Sequence, residues 1–262
     1  MLRLAVAVLF LLSAVSAVAQ NSPTSDPFAV SLAQQSIAAL IGGTQIGDAT
    51  LTGNASWIAG SDNETGTVTL SVKGVAESRV DLGLSRGTRT DIRNDTAGYP
   101  QGESVQADGT VRPSALHNCW INASWFFPAL SFLNATSDPN LIFSYIGLEN
   151  HRGTSVQHLR TFRYLAGQHS GQISLVQRIS AMDIYLDSSS LLPRGFAFTT
   201  HPDDDAMTDI AVEIIFSNYQ AINGVQVPLR VRRLIQGGMA VDMVLSGAAF
   251  NSGLPDSLFA VQ

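Results

Sequence analysis

Several places in this 262-residue chain bring together side chains capable of chemistry. Gly83-Leu84-Ser85-Arg86-Gly87 fits G-x-S-x-G, a motif in which a strand turns sharply into a helix and lifts a serine towards oxyanion-binding amides. Here Thr88-Arg89-Thr90-Asp91-Ile92-Arg93 follows and reads as another strand. Two glycines around a serine in a hairpin are the simpler account. His117 and Cys119 are two apart, a spacing that points them to different sides of a helix. Cys119 reads as a buried thiol that packs like a small hydrophobe. His151, His158 and His169 lie near strand ends among arginines, with no carboxylate partner dictated by spacing.

His201-Pro202-Asp203-Asp204-Asp205 resembles the zinc-binding segment of sugar deacetylases. Hydrolytic zinc takes about three protein ligands and keeps one position open, yet no histidine follows His201. A polar hairpin loop explains the segment better; Asp203, Asp205 and Asp209 are the oxygen donors that a weak calcium site would use. No catalytic residue, metal or cofactor is assigned.

The densest aromatic stretch is 114–133, SALHNCWINASWFFPALSFL. Leu116, Cys119, Trp120, Ala123 and Phe127 keep helical spacing, with Ser114 as a cap and Pro128 ending or kinking the helix. Two of the three Trp and three of the twelve Phe fall here, more apolar surface than one packing face requires. Trp120, Trp125, Phe126, Phe127 and Phe132 are therefore either core or the roof of an apolar cavity.

The elements that must position these residues show two periods. Asp26-Pro27 before FAVSLAQQSIAAL and Gly42-Gly43 predicts a capped helix, with Phe28, Leu32, Ala33, Ile37 and Leu40 on its packing face. Alternation then predicts strands at 49–59, 65–75, 77–85 and 87–93 as an antiparallel meander, and an exposed loop over 94–113. The same period returns at 141–149, 155–165, 182–187 and 194–200, then in 210–216, 225–231 and 239–245 around Asn223-Gly224 and Gly237-Gly238 turns. Pro228 places an edge or a bulge inside its strand.

Composition bounds the rest. With 45% hydrophobic and 14% charged residues the chain can bury a large core, and a single cysteine leaves that core without an internal disulfide. A net charge of −6 excludes a nucleic-acid partner. Residues 1–19, with Arg3, an apolar run and Ala17-Val18-Ala19, read as a signal peptide cleaved after Ala19. The mature chain, 20–262, is then one exported domain, periplasmic or secreted, with no membrane span after cleavage. Fourteen Arg against the single Lys73 favour a bacterial source.

Phe216-Ser217-Asn218-Tyr219, then Ile222-Asn223-Gly224-Val225-Gln226-Val227-Pro228, then a strand and Gly253-Leu254-Pro255-Asp256-Ser257-Leu258-Phe259 resemble the closing third of the lipoprotein-carrier (LolA/LolB-like) superfamily. Ala38-Ala39-Leu40-Ile41-Gly42-Gly43 is similar to the end of that family's first helix. The resemblance implies a mainly β protein with helices (α+β), whose strongly curved antiparallel sheet forms a half-open β-barrel closed by helices. It also implies binding rather than catalysis, with a lipid or other apolar molecule as partner. On that fold Trp57, Leu70, Val80, Phe143, Ile214 and Phe216 line the concave face beneath the 114–133 helix. The alternative is an envelope interaction or structural module with a filled core and no ligand. An outer-membrane barrel fits less well, because the chain carries two apolar helices and ends on Gln262.

Overall fold

The computed structural model describes residues Ser22–Gln262; the signal sequence expected over 1–19 lies outside the described residues. Helix α1 (Pro27–Ile41) starts and stops as its sequence dictates. The Asp26 carboxylate accepts the Phe28 amide at 2.8 Å, Pro27 occupies the first turn, and Gly42 ends the helix at φ 53°. One residue departs from the expected packing face: Phe28 is 49% exposed. It sits on the first turn at the margin of the sheet, edge-on to Tyr145 at 4.8 Å.

The chain next builds six strands, β1 (Asp48–Ala59), β2 (Asp62–Lys73), β3 (Glu77–Leu84), β4 (Gly87–Asn94), β5 (Gln101–Val105) and β6 (Val111–Pro113). After helix α2 (Pro128–Ser137) come β7 (Leu141–His151), β8 (Thr154–Arg163), helix α3 (Ser170–Ile179), β9 (Met182–Asp187) and β10 (Pro193–Thr200). The chain ends with β11 (Ile210–Ile222), β12 (Val225–Ile235) and β13 (Gly238–Phe250). All thirteen strands form one antiparallel sheet in the order β6-β5-β4-β3-β2-β1-β13-β12-β11-β10-β9-β8-β7. Two meanders are thus stitched together by the β1–β13 pair, and the sheet curves into a half-open barrel without closing.

Three expectations need correction. Residues 114–133 are not one helix: a 3-10 turn spans Leu116–Cys119, irregular chain follows, and α2 begins at Pro128. Proline lacks the amide that a helix interior needs but not the one its first turn leaves free, so Pro128 starts a helix rather than ending one. The loop expected over 94–113 carries β5 and β6, polar strands that continue the meander beyond β4. Helix α3 lies in a stretch where no helix was expected; only Val176 and Ile179 of its residues are buried, too few for an apolar stripe to show. Pro228 does stand at a local edge, because β12 pairs with β13 only from Arg230 onward.

The core lies between the concave face of the sheet and helices α1 and α2. Phe132 meets Phe196 at 6.0 Å, and Phe196 meets Phe216 edge-on at 5.0 Å. These three rings are at most 1% exposed. Replacing Phe196 by Ala should cost about 3–5 kcal/mol of folding stability, as removal of a fully buried ring leaves a void that the neighbours cannot close. Urea unfolding of the variant against the parent protein measures this directly.

Candidate functional site

Register decides which side chains enter the concave face. Val80 pairs with Asp91 and Leu82 with Arg89 across β3–β4, so Arg89, Asp91 and Arg93 share the face on which the core residues Val80, Leu82 and Leu84 lie. Ile92 and Asn94 point to the convex side. There the Asn94 side chain donates to the Phe259 carbonyl at 2.7 Å, and the carboxyl-terminal segment covers the strands with Phe259 fully buried. The convex face of β4 is therefore covered, and its charged residues Arg89, Asp91 and Arg93 lie on the concave face.

Not all of the concave space is filled. A cavity of about 540 Å³ opens at the slit of the half-barrel. One wall comes from β4, the following turn and the start of β5, with Arg93, Tyr99 and Gln101; the opposite wall comes from β7, β8 and β9, with Leu141, Thr161, Arg163 and Met182. Residues Cys119–Ala123 and the end of α2 form the remaining sides. Its volume falls within the ~300–1,000 Å³ of small-molecule sites.

The segment 116–119 is pinned from below. The Asn118 side chain accepts the His201 amide and donates to the His201 carbonyl, both at 2.8 Å, while His117 Nε2 lies 2.9 Å from the Pro202 carbonyl. His201 reaches Asp209 at 3.1 Å, and Asp209 also accepts from Arg178 of α3 at 2.7 Å. Asp205 is used on its own turn, accepting the Met207 amide and the Thr208 hydroxyl. The histidine-aspartate loop is thus a clasp. Among the described residues no three His, Cys, Asp or Glu side chains converge as a metal-ligand set. Ser85 of the G-x-S-x-G segment likewise sits in the β3–β4 hairpin, its hydroxyl donating to Glu64 at 2.9 Å.

Of the eleven aromatic and aliphatic residues expected on the concave face or its roof, only Trp120 lines this cavity. Leu70, Val80, Phe126, Phe127, Phe132, Phe143, Ile214 and Phe216 are buried within the core, and Trp57 and Trp125 pack partly buried against it. Arg89 lies over the Trp57 ring at 4.1 Å and Arg233 over Trp125 at 5.4 Å. The sequence reading missed Arg93, Tyr99, Leu141 and Met182. The alternation of Arg89, Asp91 and Arg93 was the available signal, but polar residues at period two read as a solvated face.

No protein-family model matches the chain, and no curated protein matches it significantly in sequence. Its fold has solved counterparts. An outer-membrane lipoprotein-sorting protein domain from Vibrio parahaemolyticus superposes with a TM-score of 0.55 at 15% identity, covering 88% of this chain and 96% of that one. A DUF1329 family protein from Desulfovibrio piger gives 0.55 at 14% identity, covering 91% and 98%. A LolA-superfamily protein from Nitrosomonas europaea gives 0.51 at 11% identity, covering 89% and 97%. The fold is LolA-like. In this LolA-like chain the slit cavity is the opening that a half-barrel leaves between its two sheet arms.

Two measurements probe the site. Burial pushes the Cys119 thiol above its ordinary range, with Arg93 opposing only in part. The less nucleophilic protonated form therefore persists, and Cys119 should react slowly with a thiol reagent at pH 8 until denaturant is added. Burial likewise pushes the His201 imidazole below the ordinary 6.5, outweighing the opposing pull of Asp209. The folded protein takes up this proton at lower pH than the unfolded chain does. The stability held by neutral His201 is complete above about pH 6.5 and declines as pH falls below it. Unfolding free energy measured from pH 7 to pH 5 should fall more steeply for the parent protein than for His201→Gln.

Proposed function

We propose that the chain is an exported, non-catalytic binding protein that carries or senses a lipid or another apolar molecule in the slit cavity. The observation that carries this reading is a cavity of about 540 Å³ with Trp120, Ile121, Leu141, Leu165 and Met182 in its walls. Desolvation supplies the affinity: each buried CH₂ contributes ~0.8 kcal/mol, so a long alkyl chain binds without specific polar contacts. The superposed domain from Vibrio parahaemolyticus, described as lipoprotein-sorting, supports the same class of role. Entry and release need the wall at 119–123 to move, and the hydrogen bond from Arg93 to the Asn118 carbonyl holds the chain just before that wall. A ligand extending to Trp57, Trp125, Phe126, Phe127, Phe132, Phe143, Ile214 and Phe216 would also have to displace α2 from the core.

A second reading, an envelope module without a ligand, draws support from the interior itself, where Phe126, Phe127, Phe132, Phe196 and Phe216 are all fully buried. Native mass spectrometry and solvent extraction of gently purified protein separate the two. Carriage predicts a co-purifying apolar species whose occupancy falls several-fold in Trp120→Ala. A protein that never carries or takes up such a species is the filled module.

A further inference from the structure

Building on the slit as an apolar-ligand site, we propose that its ligand is an amphiphile ending in an oxyanion, carboxylate or phosphate, which Arg93 binds at the cavity wall. Two arginines border the cavity. Arg163, on the β8 side, is neutralised by an ion pair with Asp138. Arg93, on the β4 side, donates to the neutral Asn118 carbonyl, and among the described residues no carboxylate lies within ion-pair distance of it. Guanidinium carries five N–H donors, so most of those on Arg93 remain available.

A second guanidinium shares this face: Arg233 of β12 pairs with the core residue Ile214, so it lies on the concave side, where Asp91 attracts it and Arg93, more weakly, repels it. Asp91, the acid acting on Arg233, is exposed, and the Arg233 Nε is buried without a hydrogen-bond acceptor. Asp95, at the rim of the cavity, is exposed as well. The slit thus joins an apolar wall of Trp120, Ile121, Leu141 and Met182 to a guanidinium that has no ion-pair partner among the described residues. Arginine recognises carboxylate and phosphate through paired N–H donors, and such charge-assisted bonds are about twice as strong as neutral ones. A purely apolar ligand would leave this capacity unused.

The test compares hexadecanoic acid with hexadecan-1-ol, two probes of equal chain length, by titration calorimetry on the lipid-stripped protein. The acid should bind at least tenfold tighter than the alcohol, and rising salt should erode only the acid's advantage. Arg93→Gln frees the Asn118 carbonyl for both probes alike, so it should lower affinity for the acid about tenfold more than affinity for the alcohol, and Arg93→Lys should restore part of that difference. Arg233→Gln, which leaves the Asn118 contact intact, should reduce the acid-to-alcohol ratio several-fold. Equal binding of acid and alcohol by the parent protein overturns the headgroup assignment and leaves the apolar site standing. Failure of both probes to bind overturns the apolar site and this inference with it. Inorganic phosphate binding as tightly as the acid overturns the amphiphile in favour of a free-anion site.

Discussion

Everything in this molecule depends on α1 and α2 packing into the hollow of one curved sheet. A thirteen-stranded sheet that does not close has a large inner face, and apolar side chains on that face must be covered. Phe126, Phe127 and Phe132 supply most of the cover around α2, meeting Phe196, Phe216 and their neighbours from the strands. Leu32 and Leu40 complete it from α1. Close packing in the middle then concentrates the remaining space at the slit, where the arms of the sheet diverge and irregular chain replaces helix. The cavity and the filled core have the same cause: two short helices cannot cover so wide a sheet from edge to edge.

The sheet reaches that width because its two meanders meet through β1 and β13, the partners farthest apart in sequence. The register slips by one residue between Thr52 and Gly53, and such bulges increase local twist. Gly53 and Gly66 permit close backbone approach on β1 and β2: a methyl group on Gly53 would fall 2.2 Å from the Val244 carbonyl oxygen, and on Gly66 2.0 Å from that of Gly83. The carboxyl-terminal segment adds a second layer outside β3 and β4. It is tied down by the buried Asp48 carboxylate, which accepts the Ser252 and Gly253 amides at 2.8 and 2.9 Å.

Much of this architecture was legible in the sequence. Strict alternation in the last third gave β11, β12 and β13 with their turns at Asn223-Gly224 and Gly237-Gly238, and the Asp26-Pro27 and Gly42 signals bounded α1. What was hidden had physical reasons. Strand β5 reads Gln-Gly-Glu-Ser-Val, with no apolar alternation. Trp120 and Phe127 share a helical spacing with Cys119, yet the chain between them is held by polar groups: the Asn122 carboxamide accepts from Ser124 and donates to the Ser131 carbonyl. The cavity was hidden for a different reason. Its walls come from β4, β8, β9 and the chain around 120, segments that only the sheet order brings together. Arg93 looked like a surface charge because nothing local announces that the carboxyl-terminal segment covers the opposite face of its strand.

The LolA-like fold places these features in a framework of a sheet, a helical cover and a mouth, and the distribution of free space within that framework carries the functional reading. The most direct measurement is a crystal structure of the protein loaded with a long-chain alcohol bromine-labelled at the chain terminus, with the label located by anomalous scattering. The account predicts one strong peak in the slit, near Trp120, Ile121 and Met182, with the Phe132–Phe196–Phe216 cluster unmoved. A peak within that cluster, or no ordered label anywhere in the protein, would contradict it.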